Sequence, residues 1–162
     1  TNFGNLYYFT KGGKCGKISL QDKEIGKNYP IDEDVVAIME PNTITSSKYL
    51  VFFTKKGMVK KSLVTEYNMH SKKTTAIKLK DDDEVVSVIL TGDESVLNYR
   101  ITSQKRILYF SAECVNPTGR ATMGVKGISL KDDDEVVSGE AILKNELLDC
   151  ACSIRAGVGT RR

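Results

Sequence analysis

Leu79-Lys80-Asp81-Asp82-Asp83-Glu84-Val85-Val86-Ser87 returns letter for letter as Leu130-Lys131-Asp132-Asp133-Asp134-Glu135-Val136-Val137-Ser138, 51 residues further on. An identity of that length at a fixed distance marks an internal repeat, which governs any reading of the fold. A worn copy, Ile31-Asp32-Glu33-Asp34-Val35-Val36-Ala37, precedes the first by 50 residues. A second landmark keeps the same phase: an apolar run, then Thr or Ser, two residues, and often glycine. It reads Thr54-Lys55-Lys56-Gly57 after Tyr49 to Phe53, and Thr102-Ser103-Gln104-Lys105 after Val96 to Ile101, with Lys105 expected in the place of the glycine. Thr1-Asn2-Phe3-Gly4 and Ser153-Ile154-Arg155-Ala156 belong to the same series. The units therefore run over approximately 1–45, 46–95 and 96–145, with a partial unit at 146–162, in a single domain or part of one.

Inside a unit the pattern is that of strands. Short β-branched or aromatic runs (Leu50 to Thr54, Gly57 to Leu63, Thr75 to Leu79, Val85 to Leu90) are punctuated by Gly, Asp or Lys clusters, and no dozen residues keep a helical period. About four strands in about 50 residues make one propeller blade, a sheet that buries its faces only by stacking on neighbours. The expected fold class is all-β. The T-x-x-G landmark is a hairpin turn whose glycine supplies a positive φ, and the Asp-rich segments are expected as solvated loops.

The chain has 162 residues, 40% hydrophobic and 28% charged, which is a globular composition. Its longest apolar runs fall far short of the roughly 20 residues that cross a bilayer, and Thr1-Asn2-Phe3-Gly4 opens no secretory signal. Cys15, Cys114, Cys150 and Cys152 form no CxxC pair, and His70 is the single histidine. That supply does not suit zinc; it suits reduced thiols in a cytoplasmic protein, with no metal site.

Charge alternates in phase with the repeat. Between Lys48 and Lys73 stand Lys48, Lys55, Lys56, Lys60, Lys61, Lys72 and Lys73 against one acid, Glu66; between Asp81 and Glu94 every charged residue is acidic. Arg100, Lys105, Arg106, Arg120 and Lys126 then precede Asp132 to Glu135. Rotation of stacked blades brings equivalent residues to one edge, so a net charge of only +3 separates into a basic edge and an acidic face. A basic edge is a surface for phosphates. With no recognition helix or dense arginine fork, backbone contact and imposed curvature are the expected mode.

Two segments carry a family resemblance. Phe53-Thr54-Lys55-Lys56-Gly57-Met58-Val59-Lys60-Lys61 is similar to the "TxxGxVKK" hairpin of the C-terminal repeats in the A subunits of bacterial type IIA topoisomerases, DNA gyrase and topoisomerase IV. The stretch from Gly119-Arg120 through Gly124-Val125-Lys126-Gly127-Ile128 to Asp134-Glu135-Val136-Val137 resembles that family's "GRxxxGVxGIxLxxxDxVV" signature. The resemblance implies a β-pinwheel of four-stranded blades that exchange strands with their neighbours, about three of them present here. It also implies a noncatalytic domain that binds double-stranded DNA on a basic rim and wraps it for an ATP-dependent strand-passage core. Carried over by position, the DNA contacts would be Lys55, Lys56, Lys60, Lys61, Lys105, Arg106, Arg120 and Lys126. Gly57, Gly119, Gly124 and Gly127 would meet backbone requirements. The implied partners are DNA, the ATPase subunit of the enzyme, plus the remainder of the A subunit, in the cytoplasm at the nucleoid. No cofactor is implied for the domain, since ATP and Mg would act elsewhere in the enzyme. The gyrase "QRRGGKG" box has only Lys11-Gly12-Gly13-Lys14-Cys15-Gly16-Lys17 as a distant counterpart, so a protein like topoisomerase IV or a divergent paralogue fits at least as well.

Two other classes compete. A propeller-type protein-interaction module would show a WD or kelch-like mark in each unit, and none is present. An enzyme would need a unique constellation, whereas the carboxylates of Asp81 to Glu84 and Asp132 to Glu135 recur without a nucleophile or histidine.

Overall fold

The computed structural model describes residues 5–21, 23–31, 33–40, 47–67 and 73–146. His70, Lys72, Cys150, Cys152 and the turn landmarks at 1–4 and 153–156 lie outside them. Eleven strands run through the described residues. They are β1 (Asn5–Thr10), β2 (Lys14–Ser19), β3 (Val35–Met39), β4 (Tyr49–Thr54), β5 (Met58–Leu63), β6 (Lys73–Thr75), β7 (Val85–Thr91), β8 (Leu97–Ser103), β9 (Ile107–Ser111), β10 (Val125–Lys126) and β11 (Val136–Leu143). They form three antiparallel sheets in the orders β3-β1-β2-β6, β10-β5-β4-β7 and β11-β8-β9.

Sheet order departs from chain order at two places. Strand β6 lies between β5 and β7 in sequence but pairs with β2 of the first sheet, and β10 lies between β9 and β11 but pairs with β5 of the second. The second and third repeats thus each give one strand to the blade before them, which is the all-β pinwheel with strand exchange that the resemblance implies.

The run Tyr49 to Thr54 is apolar at nearly every position because both faces of β4 are covered. Leu50 and Phe52 point into a core shared with Phe9, Tyr67, Ile77 and Val85, between the first and second blades. Tyr49, Val51 and Phe53 point into a second core with Tyr99, Ile101, Ile128 and Val136. All six residues of β4 are buried, and a strand covered on both sides loses the polar alternation of a half-exposed one. The rings meet edge-on, Phe9 on Phe52 at 5.7 Å and Phe53 on Tyr99 at 5.8 Å. Burial of each such ring contributes on the order of 2–3 kcal/mol. Strand β8 differs: Tyr99 and Ile101 face the second core, while Asn98, Arg100 and Thr102 stay half-buried on the other side and Arg100 pairs with Glu140 of β11. The third sheet has three strands among the described residues, and its β9 edge leaves Ile107, Leu108 and Tyr109 exposed.

The hairpin turns anchor the exchanged strands. Thr10 and Thr54 accept from the N–H of Lys14 and Met58 through their hydroxyls, at 3.1 and 3.0 Å. Gly13 and Gly57 hold φ of 81° and 97°. The Gly13 carbonyl accepts from both Ala76 and Ile77, and the Gly57 carbonyl from both Gly127 and Ile128. The strand expected over Thr75 to Leu79 therefore stops at Thr75, because the next two N–H groups turn to the glycine carbonyl. The third hairpin corrects the sequence alignment. Ser103, not Thr102, is the counterpart of Thr54, and Ser103 donates its N–H to the Arg106 carbonyl at 2.8 Å across a two-residue turn. This hairpin is one residue shorter, so Lys105 does not stand in for the glycine and no residue there has a positive φ.

The acidic loops are not fully solvated. Asp83 and Asp134 are buried. Asp83 accepts from the N–H of Lys56 and of Glu84, at 2.9 and 2.8 Å, which fixes its own blade's hairpin. Asp134 accepts from the Ser103 hydroxyl at 2.7 Å and the Glu135 N–H at 2.9 Å. Burial would raise the Asp134 pKa, but these bonds hold it below its ordinary value. The preceding residues, Asp82 and Asp133, take the left-handed conformation at φ 63° and 57°, which aspartate tolerates better than most residues.

The four glycines singled out by sequence divide. A Cβ on Gly57 would lie 2.5 Å from the Ile128 carbonyl oxygen; one on Gly124, φ 80°, would strike the Val59 carbonyl, and one on Gly127 the Val59 and Ile101 side chains. Gly119 has neither a positive φ nor a neighbour closer than 3.9 Å, so no backbone requirement is found there. Gly57→Ala should lower stability by roughly 1–3 kcal/mol, whereas Gly119→Ala should stay within about 0.5 kcal/mol of the parent. Urea denaturation of the two variants measures the contrast.

Candidate nucleic-acid interface

The eight cations expected to touch phosphate occupy four different settings. Lys60 and Lys61, neighbours on β5, are fully buried. Their side chains leave opposite faces of the sheet. The Lys60 ammonium sits over the Phe52 and Tyr67 rings at 5.1 and 5.4 Å. It donates to the Tyr67 hydroxyl at 2.8 Å, the Ala76 carbonyl at 2.5 Å and the Arg120 carbonyl. Lys61 turns to the other core, where it lies over Tyr49, donates to the Ala112 carbonyl at 2.9 Å and pairs with Glu94. These two residues join blades and have no surface to offer DNA, which corrects the expectation for both.

Arg120 is committed as well. Its guanidinium donates to the Thr74 hydroxyl at 2.6 Å and to the Thr75 carbonyl, both on β6. Two cations, Lys60 and Arg120, thus bind together the strand given to the first blade and the segment given to the second. Burial and the Arg120 guanidinium pull the Lys60 ammonium down to about 7 from its ordinary 10.5, and only Glu66 acts in the opposite sense. Cys15, in the same core, has its thiol pushed up to about 12 by burial.

Lys55 and Lys56 stand on the second hairpin beside its acidic loop. Lys55 pairs with Glu84 at 3.6 Å, and the Lys56 ammonium donates to the Asp81 carbonyl at 2.9 Å. Lys11 lies 4.0 Å from Asp34 at the first hairpin. Basic hairpins and acidic loops consequently meet at one end of the blades, and the expected separation into a basic edge and an acidic face does not hold there. Lys105, Arg106 and Lys126 are exposed; Arg106 donates to the Ser129 carbonyl.

The structure adds three cations that sequence reasoning passed over. Lys78, Lys80 and Lys131 are exposed and carry no ion pair among the described residues, as is also true of Lys105 and Lys126. Lys126 lies on the exchanged strand β10 and Lys78 on the segment after β6, while Lys80 and Lys131 open the acidic loops, where their carbonyls accept from the N–H of Asp83 and Asp134. The available signal was the lysine that opens each Lys-Asp-Asp-Asp-Glu copy, masked by the acids after it. Among the described residues no group of three or more His, Cys, Asp or Glu is placed to hold a metal ion, and no helix is long and apolar enough to cross a membrane.

Residues 48–91 and 101–142, more than half of the chain, match the family model of the DNA gyrase C-terminal domain, a β-propeller. The chain belongs to this family. The matched segments run from β4 to β7 and from within β8 into β11. The A subunit of DNA topoisomerase 4 from Bacillus subtilis (strain 168) is 41% identical over 157 residues, which cover 90% of this chain and 19% of that protein. The A subunit of DNA gyrase from Staphylococcus epidermidis is 37% identical over 144 residues, 85% of this chain and 16% of that one. The chain thus spans under a fifth of the length of these relatives. Among solved structures, the C-terminal domain of DNA topoisomerase IV superposes with a TM-score of 0.71 at 31% identity, covering 85% of this chain and 47% of that one. The DNA gyrase A C-terminal domain shares the fold with a TM-score of 0.66 at 24% identity, over 88% and 49%.

In this gyrase C-terminal domain fold the buried Lys60 makes stability depend on pH. Its folded pKa lies below its unfolded one, so the unfolded chain binds the extra proton between about 7 and 10.5. Stability contributed by this residue therefore rises with pH across that window, and the penalty for burying its charge is complete below it. Lys60→Met should flatten the rise in denaturation midpoint between pH 7 and pH 9.5; an unchanged slope would assign the effect elsewhere.

Proposed function

We propose that this domain is the noncatalytic DNA-binding module of a type IIA topoisomerase A subunit, and that it bends a duplex along its outer edge to present a segment to the strand-passage core. The observation that carries the reading is the set of exposed lysines with no ion pair among the described residues, Lys126 on β10 and Lys78, Lys80 and Lys131 on the segments after β6 and β10, in a member of the gyrase C-terminal domain family. Lys55, Lys56, Lys105 and Arg106 on the hairpins add to that field. Exposed lysines without a recognition helix beside them bind the phosphate backbone, independent of sequence. The partners of such a module are double-stranded DNA, an ATPase subunit, plus the remainder of the A subunit, in a parent enzyme that uses ATP while this domain holds no cofactor.

Replacing Lys78, Lys80, Lys126 and Lys131 with Gln together should weaken binding to duplexes of unrelated sequence alike. At about 0.9 per phosphate contact, the slope of log K against log salt should fall by roughly three to four. Wrapping of relaxed plasmid should decline in parallel. Lys61→Met, with its side chain inside the fold, should leave the slope of the folded protein unchanged. Affinity that is insensitive to salt, or a slope untouched by the fourfold variant, would contradict the assignment.

A further inference from the structure

One backbone hydrogen bond is repeated in all three blades: Lys11 donates its N–H to the Asp34 carbonyl at 2.9 Å, Lys55 to Glu84 at 2.8 Å, and Gln104 to Glu135 at 3.0 Å. It fixes an acidic residue beside the first position of every hairpin turn. In the first and second blades that position is lysine, and the carboxylate reaches it, at 4.0 Å for Lys11 and Asp34 and 3.6 Å for Lys55 and Glu84. In the third blade the position is Gln104, which has no charge to neutralise, and the adjacent Lys105 and Arg106 are exposed without a carboxylate partner among the described residues.

Resting on the DNA-binding reading above, we propose that Asp34 and Glu84 are resident substitutes for phosphate at the first two hairpins, so that DNA gains Lys11 and Lys55 only by displacing a carboxylate, while the third hairpin engages without that step. A carboxylate and a phosphate oxygen compete for the same ammonium, and a freed carboxylate must recruit a cation from solution. Each displaced pair therefore cancels part of the counterion release that drives binding. The Lys55 pair is the stronger case, since the Lys55 side chain is only 27% exposed against 50% for Lys11. Partly shielded pairs are less screened by salt than open ones.

The test is DNA affinity across a salt series, by fluorescence anisotropy with a duplex of arbitrary sequence, for the parent chain, Glu84→Gln, Glu135→Gln, Lys55→Gln and the Lys55→Gln/Glu84→Gln double variant. Glu84→Gln should tighten binding by roughly two- to five-fold, the range of one exposed ion pair, and should steepen the salt slope. Glu135→Gln removes the same charge from the equivalent loop and should have a clearly smaller effect, because no lysine stands across from it. In the Lys55→Gln background the gain from Glu84→Gln should vanish. Equal gains for Glu84→Gln and Glu135→Gln, or a gain that survives without Lys55, would reduce the effect to overall charge and overturn the proposal alone. A parent chain with no salt-sensitive affinity for DNA would overturn the DNA-binding reading and this proposal together.

Discussion

An antiparallel sheet that ends in an exposed strand leaves a row of N–H and C=O groups facing water, and a protein has to manage that edge. Here the edges of β2 and β5 are filled by β6 and β10, each supplied by the following repeat. Much else depends on this pairing. It brings Ala76 and Ile77 to the Gly13 carbonyl and Gly127 and Ile128 to the Gly57 carbonyl, and it closes the two cores around Ile77 and Ile128. The blades are therefore joined by main chain as well as by packing. A sandwich held only by Phe on Phe contacts could slip, whereas a shared hydrogen-bond ladder fixes register.

The same exchange contributes to the burial of one positive charge. Lys60 is taken out of water by Phe52, Tyr67 and the Ala76 and Arg120 carbonyls, the last two flanking the exchanged strands, whereas Lys61 is covered by Tyr49, Ala112 and Glu94, which belong to neither exchanged strand. Removing either partner of such an arrangement leaves a buried charge or an unmet acceptor, which is why these lysines belong to the architecture. Exposed charge then comes from Lys126 on β10 and from Lys78, Lys80 and Lys131 on the segments that follow the exchanged strands.

The repeat and the strand character were legible because a nine-residue identity and the two-faced apolar run of β4 are local patterns. The roles of Lys60, Lys61 and Arg120 were not, since the groups that bury or hold them lie 45 to 60 residues away in sequence for Lys60–Arg120, Arg120–Thr75 and Lys61–Ala112 alike. No periodicity within β5 distinguishes a lysine in water from one beneath a later strand. Asp83 and Asp134 misled for a related reason: three consecutive aspartates suggest a solvated loop, but one of each three folds back to accept hairpin N–H or hydroxyl groups. The third hairpin sits one residue off the sequence alignment because Thr102 and Ser103 are chemically interchangeable as turn openers, and the bond from Gln104 to the Glu135 carbonyl, matching that from Lys55 to Glu84, tells them apart.

Exchange also imposes an order of assembly on a chain made from its amino terminus. When residues 5–39 have emerged from the ribosome, three strands of the first sheet exist but its outer ladder must wait for residues 73–75. The second sheet waits in turn for residues 125–126. The first two blades are therefore each finished by the nascent chain of the next, and a stalled or prematurely terminated product would present an uncapped, partly apolar sheet edge, the kind of surface that chaperones bind and that seeds aggregation.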